Sequence, residues 1–132
     1  MKRVIIITVA SLAILMVCAF AVIMISINRG IKERISIAQE KYPGNAEDAL
    51  LAYLADSANS PRDRTDVAIW TLGQIQSQKA LPVLKELYNS DPEGKTCQGR
   101  HDSVLCQYGI YKAIRAIESN WWPLHPELCD SH

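Results

Sequence analysis

Hydrophobic positions follow two different rules along this chain. From Val4 to Ile27 they run almost without interruption, 24 residues with no charge among them. Beyond Ile27 they recur three and four positions apart, the spacing of one helix face. As a helix the first stretch reaches ~36 Å at ~1.5 Å per residue, more than the ~30 Å hydrocarbon core of a bilayer. It therefore predicts a membrane-spanning helix over residues 4–27, after a short basic start at 1–3.

Two kinds of N-terminal segment share these features. A cleaved secretory signal has an apolar core of ~7–15 residues followed by small residues at the cut. Lys2 and Arg3 supply the positive start, and Ala19-Phe20-Ala21 imitates the cleavage signature. Yet Val22-Ile23-Met24-Ile25-Ser26-Ile27 prolongs the apolar run past that point. Leu15-Met16-Val17-Cys18 imitates a lipoprotein signal, but bulky Val17 before the cysteine argues against it. The expectation is an uncleaved signal anchor.

The spaced regime predicts helices only, because no stretch alternates with the period of two that a strand requires. Ile31, Ile35, Ala38 and Tyr42 share one face of a stalk over residues 28–44, either continuing the membrane helix or forming a short second one. Pro43-Gly44 ends it. Asn45 can cap a helix whose apolar face is Ala49, Leu50, Tyr53 and Leu54. Ser60-Pro61 reads as a cap followed by a first-turn proline, opening a helix that runs to about Gln76. Leu81, Leu84, Leu87 and Tyr88 mark another, with Pro82 tolerable in its first turn. Asp91-Pro92-Glu93-Gly94 breaks the chain, and Asp102 or Ser103 is expected to open a last helix running to about Ser119.

The order of these helices adds a resemblance. Asp63-Arg64-Thr65-Asp66-Val67-Ala68-Ile69-Trp70-Thr71-Leu72-Gly73-Gln74-Ile75, followed by Lys79-Ala80-Leu81-Pro82-Val83-Leu84, resembles the HEAT-like repeats of the short bacterial kind also found in phycobilisome lyases. A helix ending in Leu-Gly-x-Ile, a tight turn, then Ala-Leu-x-x-Leu carries the likeness, over roughly residues 45–118. It implies a small α-solenoid of about two helical hairpins; only scaffold residues match, so lyase activity does not follow. A shift of 41 residues overlays Thr65, Ala68, Ile69, Leu72 and Ile75 on Cys106, Gly109, Ile110, Ala113 and Ala116, read as one inward face. The second repeat then holds an inserted loop over 91–102. Two repeats are few for a solenoid, so the stalk and a tail over 120–132, with Trp121-Trp122-Pro123-Leu124, are expected to cap its ends.

Charge narrows the function. Without Lys2 and Arg3, 12 basic residues face 14 acidic ones, so no basic stripe suits nucleic acid. Arg29, Lys32 and Arg34 beyond the apolar run nearly balance Lys2 and Arg3 before it, so basic residues barely set the orientation. Cys97, Cys106 and Cys129 in the soluble part favour the domain outside the cytoplasm, in a single-pass protein of a bacterial inner membrane.

Candidate chemistry is sparse. On the opposite helix faces Val67, Trp70 and Gln74 overlay Tyr108, Tyr111 and Arg115. Trp70, Gln74, Tyr108, Tyr111 and Arg115 are the expected partner-binding strip, since aromatic and Arg side chains make strong anchors; the rival reading packs Trp70 against Tyr111 or beneath the inserted loop. Cys97 and Cys106 are the leading disulfide pair, with Cys129 as the competing partner. Zinc is a weaker alternative through Cys97, His101, Cys106, His125, Cys129 and His132, because no paired C-x2-C occurs. No nucleophile with its base, no acid/base carboxylate pair and no phosphate-binding glycine loop is recognisable. The sequence thus predicts an all-α, membrane-anchored interaction module without a cofactor, over residues 45–132, whose partner is another protein or peptide at the membrane surface. A metal- or thiol-based redox protein is the alternative, and a structural role within a membrane complex is the third.

Overall fold

Nothing between Lys2 and Lys41 can stop a helix. Proline is absent there, and lone Gly30 costs only about 1 kcal/mol against alanine. The apolar run and the amphipathic stretch accordingly join into one 40-residue helix, α1 (Lys2–Lys41), so the stalk continues the apolar run. The computed structural model describes residues 2–119; the chain divides into two units, 1–32 and 33–132. Among the described residues every regular element is helical, and there is no strand.

In the first unit every side chain from Arg3 to Ile23 is exposed. The helix satisfies its own backbone, and Thr8 and Ser26 donate their hydroxyls back to the carbonyls of Val4 (2.8 Å) and Val22 (2.9 Å). This is the arrangement a bilayer demands of a spanning segment. α1 is long and apolar enough to cross a membrane.

The second unit begins with the end of α1. Pro43 has no N–H to continue the ladder and Gly44 takes φ +148°. Ala38 is buried, with Ile35 and Tyr42 half-buried on the expected face. A polar cluster fastens this end: Tyr42 donates its hydroxyl to Asp56, Lys41 Nζ donates to Asn59 Oδ1 at 2.5 Å, and Asn59 Nδ2 donates to the Tyr53 carbonyl at 2.9 Å. Tyr42 also meets Tyr53 edge-on, with centroids 5.9 Å apart.

Helix α2 (Ala46–Ala55) opens on Asn45, whose side chain accepts from the Asp48 N–H, and buries Ala49, Leu50, Tyr53 and Leu54. Ser60 caps α3 (61–74) in the same way, with Pro61 in the first turn. The middle of α3, Arg64–Ile69, is π-helical: Trp70 N–H reaches the Thr65 carbonyl, one residue further back than in an α-helix. α3 stops at a left-handed Gln76 (φ 53°), where Gln76 and Ser77 N–H bond the carbonyls of Gly73 (3.2 Å) and Leu72 (3.1 Å). These two bonds are the usual closure of a helix C-terminus, with Gln where glycine is commoner. α4 (Leu81–Leu87) carries Pro82 in its first turn.

The last helix, α5 (Gln107–Ser119), begins later than Asp102 or Ser103. Those residues lie in turns instead, with Ser103 and Val104 N–H both bonding the Arg100 carbonyl. The loop after α4 therefore extends to Cys106, past the expected limit at 102. A short 3₁₀ turn, Lys95–Cys97, lies within it. The expected tail over 120–132 lies outside the described residues.

α3 and α5 run in the same direction. Thr65 faces Cys106 and Gly109, Gly73 faces Ala113, and Gln76 faces Ala116, so both chains advance together along the contact. Gly73 permits the close approach, since a Cβ there would lie 2.9 Å from Ala113 Cα. At the C-terminal end of α5, Gln76 and Gln78 donate to the carbonyls of Ala116 (3.1 Å) and Ile117 (3.3 Å), whose place in the last turn opens them to donors outside the helix. Leu50, Leu54, Ile69, Leu72, Leu84, Ile110 and Ile117 fill the core.

Candidate functional site

The close approach at Gly73 leaves a groove beside it. Its floor is Gly73, Gly109, Ala113 and Ala116, whose small side chains leave the two helices uncovered there. Trp70 and Gln74 rise from α3, and Tyr108 and Lys112 rise from α5. Thr65, Asp66 and Cys106 close one end. The space is about 260 Å³, smaller than the ~300–1,000 Å³ of small-molecule sites.

Both walls are braced. The Arg34 guanidinium stands 4.4 Å above the Trp70 ring while its Nε donates to the Asp66 carbonyl at 2.9 Å. That carbonyl belongs to the π-helical stretch, where the shifted ladder opens backbone groups to outside donors. Across the groove, Lys112 Nζ lies 5.1 Å from the Tyr108 ring centre, and Tyr108 remains 48% exposed. The mouth thus offers an aromatic face on each side, a carboxylate near one end and an ammonium on the α5 side.

Of the five strip residues predicted from sequence, Trp70, Gln74 and Tyr108 meet at the groove. Tyr111 does not; its ring stacks on Tyr88 of the loop with centroids 6.1 Å apart. Arg115 lies beside Tyr111, Lys112 and Ala116 in a separate shallow depression. Asp66 and Lys112 are groove residues that the repeat overlay passed over. The overlay also assigned Thr65, Cys106, Gly109 and Ala116 to an inward face, yet they are only partly buried and line the groove. The contact passes through Gly73 and Ala113, which turns those four toward its open edge. Glycine at 73 and 109 was the available signal, because only close helix approach rewards glycine inside a helix.

Comparison with family models, curated proteins and solved structures gives no match.

The cysteine cluster adjoins it. Cys97 is buried in the 3₁₀ turn and donates its thiol to the Gly94 carbonyl at 3.2 Å; its Sγ lies 2.8 Å from Cys106 Sγ, and no bond joins them. Burial, then the neighbouring Cys97 thiol, pushes the Cys106 thiol up, against the opposing pull of the Gly109 and Tyr108 amides. The ligand atoms of Cys97, exposed His101 and Cys106 lie within 4.8 Å of one another. This donor set suits a soft divalent ion, but among the described residues it supplies three of the four ligands of a closed zinc site. His125, Cys129 and His132 lie outside the described residues. Asp91 holds the loop by accepting from Thr96 N–H (2.9 Å), Thr96 Oγ1 (2.7 Å) and Lys95 N–H (3.1 Å), and these bonds keep its carboxyl below the usual aspartate range.

Proposed function

We propose that this chain is a membrane-anchored docking module that grips a short segment of another protein in the groove between α3 and α5. What carries the reading is the groove's construction: a floor of small residues between Trp70 and Tyr108, with Asp66 and Lys112 of opposite charge at its rim. A segment presenting a small apolar side chain flanked by polar groups would match it, the apolar group against the floor and the backbone against Gln74 and Thr65.

The apolar part of α1 acts in this reading as a single-pass anchor, the amino terminus in the cytoplasm and the domain outside it. Confinement to the membrane raises the effective concentration of partners there and compensates for a small contact. The parallel setting of α3 and α5 is also the relation that second helices of successive HEAT-like hairpins would have, which supports the scaffold resemblance.

The test is quantitative capture from native membranes with the full chain. Trp70→Ala and Lys112→Glu should each lower recovery of the same partner about tenfold in protein that circular dichroism shows to be folded, and Glu86→Lys on α4 should leave it unchanged. Equal recovery by all three variants would remove the groove from consideration.

A further inference from the structure

We propose that Cys97 and Cys106 are a thiol–disulfide exchange pair whose closure fixes the Tyr108 wall of the groove. Their sulfurs are 2.8 Å apart, one in the 3₁₀ turn of the loop and the other at the residue that precedes α5. A zinc ion held by both through ~2.3 Å bonds would place them roughly 3.8 Å apart, whereas a disulfide needs about 2.05 Å. His101, the third ligand a metal would use, is exposed. Closing toward a bond is the smaller movement.

Accessibility assigns the order of events. Cys97 is 2% exposed while Cys106 reaches the groove, so an incoming disulfide meets Cys106 first. The Cys106 thiolate, after losing its proton to solvent, attacks one sulfur of that disulfide and expels the other as a thiolate. Cys97, likewise deprotonated, then attacks Cys106 Sγ in the mixed disulfide and expels the second thiolate. Two protein thiols are oxidised to one disulfide, and the reagent disulfide is reduced to two thiols. The oxidant is any disulfide-bearing protein or small molecule.

The structural consequence follows from Gly94. In its left-handed conformation (φ +66°), a Cβ there would lie 2.8 Å from Tyr108 Cβ and 3.2 Å from Cys97 Sγ. The turn carrying Cys97 therefore already leans on the base of Tyr108, and the bond would make that contact permanent. Only the bearing of this lock on docking rests on the proposed function; the exchange chemistry does not.

The experiment uses the full chain in detergent, reduced and stripped of metal, then exposed to oxidised glutathione. Expected are the loss of two of the four thiols, a Cys97–Cys106 cross-linked peptide, and severalfold slower backbone hydrogen exchange over residues 107–112. Cys106→Ser should give none of the three changes, and Cys129→Ser should keep all of them. A bridge to Cys129, a mixed disulfide stalled at Cys106, stoichiometric zinc in the protein as isolated, or a bridge without slower exchange each overturns the proposal. Trp70→Ala, which disables docking, should leave every one of these readings unchanged, so the two accounts fail separately.

Discussion

Helices α3 and α5 carry the same spacing of small and apolar residues 41 positions apart, yet they are held in place by different means. α3 is fixed through its backbone: a π-helical stretch whose Asp66 carbonyl is taken by Arg34, and a C-terminus closed on left-handed Gln76. α5 is fixed by its surroundings: a loop pinned by Asp91, two neighbouring thiols, and glutamine amides borrowed from the turn after α3. A shared pattern brings the helices together, but apart from the turn after α3, which serves both, each is held by its own set of partners. The α3 wall is held by Arg34, and the α5 wall adjoins the loop that carries Cys97.

The two helices differ most at their glycines. Gly73 and Gly109 both sit in the contact, but their neighbours differ. A Cβ at Gly73 meets the backbone of Ala113, whereas one at Gly109 meets Thr65 Cγ2 at 3.1 Å, a methyl that can shift. Gly73→Leu should therefore cost about 3 kcal/mol, the upper end for overpacking, and lower the melting temperature by more than ~10 °C. Gly109→Ala should change stability by less than ~1 kcal/mol, because better helix propensity offsets a small shift. Thermal unfolding of both variants in detergent measures this, and equal effects would erase the asymmetry.

A smaller effect is expected at the turn that serves both helices. Gln76→Ala removes the bond to the Ala116 carbonyl and keeps a strained left-handed residue, a loss of roughly 1–2 kcal/mol. Gln76→Gly removes the same bond but relieves the backbone, so it should come out near neutral. Denaturant midpoints for the pair separate the two contributions.

The least effect concerns pH, and on the α5 side it is read at Asp91. Asp91 is held below the ordinary aspartate value by bonds to Thr96 and Lys95. A depressed carboxyl contributes fully above the unfolded value of about 4 and loses its contribution as pH falls through the lower folded value. The Thr96 amide resonance should thus keep its bonded position down to pH ~4 and move only below it. A midpoint at or above the ordinary value would contradict this, and Asp91→Asn should abolish the transition.

Much of the fold was legible because its signals are local. Asn45, Ser60-Pro61 and Pro43-Gly44 act on their own neighbours, and the structure places the corresponding helix ends there. The apolar face Ala49, Leu50, Tyr53 and Leu54 followed from spacing alone. The start of α5 was not legible, since Asp102 and Ser103 are good caps that the turns around Arg100 divert. Nor could spacing foresee the π-helical stretch, which changes the facing of residues after Arg64 without any residue that marks it. The candidate site was half visible: Trp70, Gln74 and Tyr108 by overlay, but not Lys112 or the diversion of Tyr111 to Tyr88. Those depend on where the loop returns, a tertiary matter that no helical period encodes.

A partner segment lying between α3 and α5 is the proposal on which the docking function rests. It is tested most directly by a short photo-crosslinker placed at Gln74 in the full chain in native membranes, with Glu86 on α4 as the reference position. The account predicts one discrete adduct from position 74, depleted by Trp70→Ala and missing from position 86. Identical adducts from both positions, or none from 74 while partner capture persists, would contradict it.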